Sequence, residues 1–161
     1  MMGFDSQVTE RLAALGLEWP SPPKPAGDYV PVQRQGDLLF VSGQFPMLDG
    51  RPAYRGTIGG TLSIEDGWNA AALAALNVVT QIRAALGSLD RLAGLARVEG
   101  HVACGADFTA VPAVLDGAST RLKYLLGERG VHARTAFCAT ALPNEHCIEL
   151  VVTARAHADG D

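Results

Sequence analysis

The sequence has few cysteines, no long apolar run and a shortage of basic residues, and each lack removes a class of protein. Its three cysteines, Cys104, Cys138 and Cys147, are odd in number and form no CxxC pair, whereas a disulfide scaffold needs a dense, even set. Free thiols in a cytoplasmic setting are expected. The apolar stretch at residues 70–76 is bounded by Asn69 and Asn77, far short of the roughly 20 residues that cross a bilayer. Residues 1–10 lack the basic-then-apolar pattern of a secretory leader, so no membrane partner is expected. With 13 Lys+Arg against 17 Asp+Glu the formal net charge is −4. The basic footprint that neutralises phosphates is therefore missing, and nucleic acid is disfavoured as a partner. No GxGxxG follows a strand pattern and no period repeats along the chain, which sets aside dinucleotide folds and solenoids.

What remains is one domain's worth of chain: 161 residues, 48% hydrophobic and 19% charged, enough apolar matter for a core. Residues 7–17 read as a short amphipathic helix. Trp19-Pro20-Ser21-Pro22-Pro23-Lys24-Pro25 follows, and its four prolines force an extended arm. Residues 1–27 are thus expected to precede a domain at 28–156, with 157–161 as a tail. Residues 29–34 and 38–43 flank Gln35-Gly36-Asp37 and read as a β-hairpin. A short strand is expected after the turn at Asp49-Gly50, then a loop over 55–62.

Ser63-Ile64-Glu65-Asp66 approximates a capping box. After it Trp68, Ala72, Ala75, Val79, Ile82 and Leu86 recur at spacings of three and four, an apolar helical stripe ending at Gly87. Residues 92–104 alternate as a strand. Pro112 suits the first turn of a second helix over 113–126. Residues 135–141 and 147–156 flank Leu142-Pro143-Asn144-Glu145 and read as a second hairpin. The order β-β-(β)-α-β-α-β-β predicts an α+β fold, two helices on one face of a mixed β-sheet. Apolar residues on the other face predict burial against further copies of the chain.

The candidate site residues are Arg134, Glu149, Ser42, Gln44 and Tyr29. A guanidinium forks onto a carboxylate through two parallel hydrogen bonds. One carboxylate in reach of a water and a leaving nitrogen can take a proton and return it. If the last hairpin pairs Ala141 with His146, Cys138 opposes Glu149 and Arg134 lies four residues along the same face. The two would stand roughly 13 Å apart, too far to share one small substrate within a chain. Ser42 lacks the GxSxG elbow of serine hydrolases. His146 and Cys147 point to opposite strand faces, which disfavours a metal site with Cys138. The Gly59-Gly60 loop lacks the Gly-Lys-Ser/Thr ending of a phosphate cradle.

Val41-Ser42-Gly43-Gln44-Phe45-Pro46, Ala133-Arg134-Thr135-Ala136, and Leu142-Pro143 with Ile148-Glu149-Leu150 together resemble the signature of the reactive-intermediate deaminase (RidA/YjgF) family, historically called L-PSP endoribonuclease. The loop 59–67 and Asp116-Gly117-Ala118-Ser119 look like a divergent branch of it. The resemblance implies a chorismate-mutase-like fold and a homotrimer with small-molecule clefts between subunits. It implies that Arg134 clamps a substrate carboxylate, Glu149 activates water, and Tyr29 and Ser42 line the cleft. The implied substrate is a 2-imino acid or its 2-enamine tautomer, hydrolysed to a 2-oxo acid and ammonia without metal or organic cofactor. A non-catalytic trimer that binds a small carboxylate is the alternative; a ribonuclease is the outlier. Two departures stand out: Pro112 where the studied deaminases carry a cleft asparagine, and Asp116, which brings negative charge toward the cleft.

Overall fold

Local signals decide where the helices begin. Ser63 Oγ accepts from the Asp66 backbone N–H at 3.0 Å while Asp66 Oδ2 accepts from the Ser63 N–H at 2.9 Å, so the expected capping box opens helix α2, Ile64–Leu86. These bonds hold the Asp66 carboxyl below its usual range. The computed structural model describes residues 1–158. Helix α1 is Phe4–Ala14 and α3 is Val111–Leu126; the strands are β1 Val32–Gln35, β2 Leu38–Gln44, β3 Met47–Leu48, β4 Arg51–Pro52, β5 Leu92–Ala103, β6 Ala133–Ala139 and β7 Ile148–Ala156. The α+β architecture is as expected, with β3 and β4 forming a small hairpin about Asp49-Gly50.

The five long strands form one sheet in the order β1-β2-β7-β5-β6. Neighbours run antiparallel except β5 and β6, which are parallel. The second hairpin expected from the sequence is therefore absent: β5 lies between β6 and β7. The parallel pair β5 and β6 cannot be joined by a tight turn and is connected through α3, while the segment 140–147 carries the chain past β5 to β7, which lies between β5 and β2. Along the helix-facing side Val98, Val102, Ile148, Leu150, Val152 and Ala154 are buried, and α2 and α3 cover them. Gly117 in α3 is needed there, because a Cβ would drive into the backbone of Trp68 in α2; the two helices touch main chain to main chain.

Helix α1 starts one turn earlier than expected. Asp90, 85 residues away, accepts from the Asp5 N–H at 3.2 Å and stabilises that first turn, a tertiary contact invisible to local pattern. Asp5 in turn takes a bidentate bond from Arg83 of α2 at 2.8 and 2.9 Å, which holds its carboxyl below the usual range. The proline arm is pinned too: Gln81 of α2 donates to Pro23 O at 2.7 Å. Cys104 and Cys138, expected as free thiols, are joined as a disulfide with Cα atoms 5.7 Å apart. Their adjacency follows from the parallel β5–β6 register, in which Val102 opposes Cys138. Cys147 is free and buried, and burial pushes its thiol up to about 12. No helix among the described residues is long and apolar enough to cross a membrane.

Candidate functional site

Strand β2 pairs with β7 as Val41↔Val152 and then Gln44↔Leu150, so Ser42 and Gly43 share the place of one residue and form a β-bulge. Bulges re-aim side chains, and here the bulge makes room for Glu149. A Cβ on Gly43 would overlap Glu149 Oε1 and stand 2.9 Å from its Cδ. Only glycine leaves this carboxyl its place. Glu149 is half-buried on the sheet face away from the helices, opposite His101 of β5, whose ring stacks on Phe137 at 5.2 Å. Burial pushes the Glu149 carboxyl up, partly offset by His101. Its oxygens make no hydrogen bond or ion pair with any described residue.

Just beyond the bulge is a cavity of about 80 Å³ whose lining includes Tyr29, Gly43, Gln44, Phe45 and His146, closed over by Pro23–Ala26 of the arm. The Tyr29 hydroxyl accepts from the Ala26 N–H at 3.3 Å. Ser42 Oγ donates to Val30 O at 2.7 Å and the Ser42 N–H to Pro31 O at 2.8 Å, so Ser42 ties the Tyr29 segment to the bulge. Gln44 is buried and is held by Gln81 at 3.3 Å. Asn77 of α2 donates to Phe45 O and Met47 O at 2.9 and 3.0 Å. Polar side chains inside an otherwise apolar helix thus satisfy the irregular backbone that shapes the cavity. His146, which sequence reasoning placed at a strand start, is buried, stacks on Phe45 at 4.4 Å, and leaves Nδ1 without a hydrogen-bond partner among the described residues. Burial, with Arg55 adding to it, holds its pKa down.

Arg134 stands elsewhere. It opposes Val98 on β5, a core residue, so its side chain lies on the helix side of the edge strand. There Nη1 donates to Asp116 Oδ1 at 2.9 Å and to Ser119 Oγ at 3.1 Å, and Nη2 to Pro112 O at 3.3 Å. The two departures of the branch, Pro112 and Asp116, are therefore Arg134's own partners. His132 completes the network: Nδ1 lies 2.6 Å from Gly130 O and Nε2 2.9 Å from Ser119 Oγ. Since a carbonyl can only accept, Nδ1 carries the proton. Burial is the main cause holding the His132 pKa down, so Nε2 accepts from the Ser119 hydroxyl, which in turn accepts from Arg134. His132 escaped sequence reasoning because the contact that ties it to Arg134, Ser119, lies 13 residues back in another element.

Glu149 and Arg134 do not meet within one chain. Phe137, not Cys138, lies in the row of Glu149 and His101, and Arg134 is three residues along and two strands over. That is roughly 14 Å at about 3.3 Å per residue and about 4.8 Å per strand, and the two face opposite sides of the sheet. The expectation of a shared face is overturned; that of a wide separation stands on a different register. Among the described residues, no three His, Cys, Asp or Glu side chains converge as a metal site.

A five-stranded mixed sheet under two helices, with a half-buried carboxyl on its open face and an arginine at its edge, is a chorismate-mutase-like α+β protein. Residues 9–154 match the model described as "YjgF/chorismate_mutase-like, putative endoribonuclease". The chain belongs to that family. It is 36% identical over 145 residues to Protein TCP17 of Trypanosoma cruzi, covering 89% of this chain and 91% of that protein. The protein Atu1372 of Agrobacterium tumefaciens superposes with a TM-score of 0.89 at 34% identity, covering 95% of this chain and 94% of that one. Escherichia coli TdcF with bound serine superposes with a TM-score of 0.58 at 19% identity, covering 84% and 93%, a likeness of fold.

Proposed function

We propose that the chain assembles as a homotrimer and hydrolyses 2-imino or 2-enamino acids to 2-oxo acids and ammonia in clefts between subunits. The observation that carries this reading is Glu149: half-buried above a glycine bulge, beside the Tyr29 cavity, with a burial-raised pKa and no hydrogen bond or ion pair among the described residues. Such a carboxylate is free to take a proton from water, and its raised basicity suits the task. Water adds to C2 of the imine while Glu149 takes one of its protons and delivers it to the nitrogen, giving the 2-amino-2-hydroxy acid. The hydroxyl proton then passes by way of Glu149 to the same nitrogen as the C2–N bond breaks, leaving the 2-oxo acid and ammonia. Arg134 is the residue for the substrate carboxylate: its Nε–H makes no bond among the described residues, leaving one side of the guanidinium open. The serine bound to TdcF is a small amino-acid carboxylate, in keeping with this substrate class. Because Arg134 and Glu149 lie on opposite sheet faces, the cleft would take one from each of two chains.

A second reading, a non-catalytic trimer that binds a small carboxylate, is favoured by one contact. Asp116 sits 2.9 Å from Arg134 and competes with any incoming anion. Ribonuclease activity fits poorly with the acidic net charge.

The test is to generate 2-iminobutyrate in place with a pyridoxal-phosphate dehydratase and follow 2-oxobutyrate release. Wild type should accelerate it. Glu149→Gln should lose turnover while keeping affinity for 2-oxobutyrate, and Arg134→Lys should lose that affinity. Oxo-acid binding without acceleration over buffer sinks the enzyme reading and leaves the binding one. A stable monomer in light scattering at micromolar concentration sinks the trimer.

A further inference from the structure

The partly buried arginines of the helix layer each have an acceptor, with one exception. Arg83 forks onto Asp5, Arg11 donates to Leu125 O at 2.8 Å, Arg129 reaches Leu89 O at 3.4 Å and covers the Phe4 ring at 3.9 Å, and Arg134 holds Asp116. Arg121 of α3 is partly buried and makes no hydrogen bond, ion pair or ring contact with any described residue. Burial alone lowers its pKa, with no opposing charge to restore it. A desolvated guanidinium with unpaired donors costs folding free energy, and a bound acceptor would offset that cost.

Arg121 opens into a groove of about 590 Å³ on the helix side of the molecule. Trp19 of the arm and Tyr54 line it as aromatic surfaces, and Leu73 and Leu76 of α2 supply an apolar floor. Trp19 is fixed in place: Nε1 donates to Thr9 Oγ1 at 3.0 Å, and the Arg83 guanidinium covers the ring at 4.7 Å. Two exposed carboxylates, Glu18 and Asp49, also line the groove, and neither is ion-paired with Arg121. Glu149 and Tyr29 are not part of it, so this groove is separate from the cavity at the bulge.

We propose that this groove is a second binding site, for a hydrophobic α-amino acid: Arg121 takes the carboxylate, Glu18 or Asp49 the ammonium, and the aromatic and leucine surfaces the side chain. The charge pattern selects that class. A lone cation calls for a carboxylate, while the acidic rim repels phosphates and dianions and rewards a ligand whose other end is positive. An apolar body fits between a stationary indole and two leucines, as small-molecule sites are mostly apolar with a few placed polar groups.

Titration calorimetry of the full chain with L-phenylalanine, phenylacetate and phenethylamine tests it. L-phenylalanine should bind, phenylacetate should bind more weakly, and phenethylamine, lacking a carboxylate, should not bind. Arg121→Met should weaken L-phenylalanine about tenfold or more, whereas Arg134→Ala should leave it unchanged. The ligand-free Arg121→Met protein should melt at or above wild type, since it sheds an uncompensated cation. Binding that survives Arg121→Met, binding lost in Arg134→Ala, no binding of L-phenylalanine at millimolar concentration, or a lower ligand-free melting point each overturns the proposal. Because these readouts involve neither imine turnover nor Glu149, their failure is distinct from failure of the function proposed above.

Discussion

Gly43→Ala isolates the feature that creates the site. The added methyl would overlap Glu149 Oε1 and lie 2.9 Å from Cδ and 3.1 Å from Cγ, inside the roughly 3.5–4.0 Å at which carbon atoms rest. Swinging the carboxyl tip away does not suffice, because Cγ is crowded too; the whole side chain must leave its well or the bulge must open. Overpacking of this kind costs about 1–3 kcal/mol. Gly43 does not have a left-handed φ, so alanine is conformationally acceptable there and restricts the unfolded chain, a gain of about 0.4–1 kcal/mol. The net expectation is a destabilisation of about 0.5–2 kcal/mol with imine turnover lost.

The decisive measurement is the same substitution in a Glu149→Ala background. With the carboxyl gone the clash vanishes while the entropic gain remains, so Gly43→Ala should become stabilising by about 0.4–1 kcal/mol. Urea denaturation of the four proteins at one fixed chain concentration closes the cycle, and the coupling energy should be about 1–3 kcal/mol. An equal effect of Gly43→Ala in both backgrounds would refute the reasoning. It would mean that the glycine serves the bulge itself and that Glu149 owes nothing to it.

Glu149→Gln should raise the melting temperature at neutral pH. Burial raises the folded-state pKa of Glu149, so folding loses stability as pH climbs through the interval above the usual glutamate value, and a neutral amide avoids that loss. Below the usual value both states are protonated and the advantage should disappear; a gain independent of pH from 3 to 8 would contradict the assignment. Ser119→Ala removes the hydroxyl that joins Arg134 to His132. Two hydrogen bonds at about 0.5–1.5 kcal/mol each predict a melting point lower by several degrees, at about 2–4 °C per kcal/mol for a chain of this size, and weaker 2-oxobutyrate binding. An unchanged melting curve would count against the network. Asp116→Asn should barely alter stability, since an exposed pair contributes about 0–1 kcal/mol, yet should tighten 2-oxobutyrate by removing a competing anion. Unchanged affinity would show that Asp116 moves aside at no cost.

The elements legible in the sequence are those whose signals are local. Ser63, Asp66 and the stripe from Trp68 to Leu86 specify α2 within one stretch, and the Gln35-Gly36-Asp37 turn closes β1 on β2 as expected. That β6 and β7 each pair with β5 and not with each other was not legible, because alternation says which residues share a face and nothing of which strand lies alongside. The consequence is a matter of parity. A hairpin pairing Ala141 with His146 sets Cys138 against Glu149, whereas the observed row is Glu149, His101, Phe137. One residue of slip reverses every side chain, and it carries Arg134 from the open face to the helix side. The residue types of the site were legible from motif, and their placement was not. The partners of Arg134 came to light only with α3 laid against β6, and the groove into which Arg121 opens only with the arm folded back on α2.

A sheet with Glu149 on one face and Arg134 at the edge of the other also constrains assembly. In a twofold dimer one patch meets its own copy, and two groups on opposite faces of a sheet cannot both belong to one flat self-complementary patch. A head-to-tail ring has no such difficulty, since the open face of each chain meets the edge of the next. On the proposed trimer every cleft then combines Glu149 from one chain with Arg134 from its neighbour, and defects in the two residues must complement. Glu149→Gln and Arg134→Lys proteins, each inactive alone, should regain activity when unfolded together and reassembled in equal amounts. In random rings about a quarter of the clefts draw both residues intact, because each is intact in half the chains and the two come from different chains. Activity should therefore reach about a quarter of wild type, while mixing without reassembly should restore nothing. If both residues of a working cleft came from one chain, no mixture would recover any activity, and the opposite-face geometry would have been misjudged as the basis of catalysis.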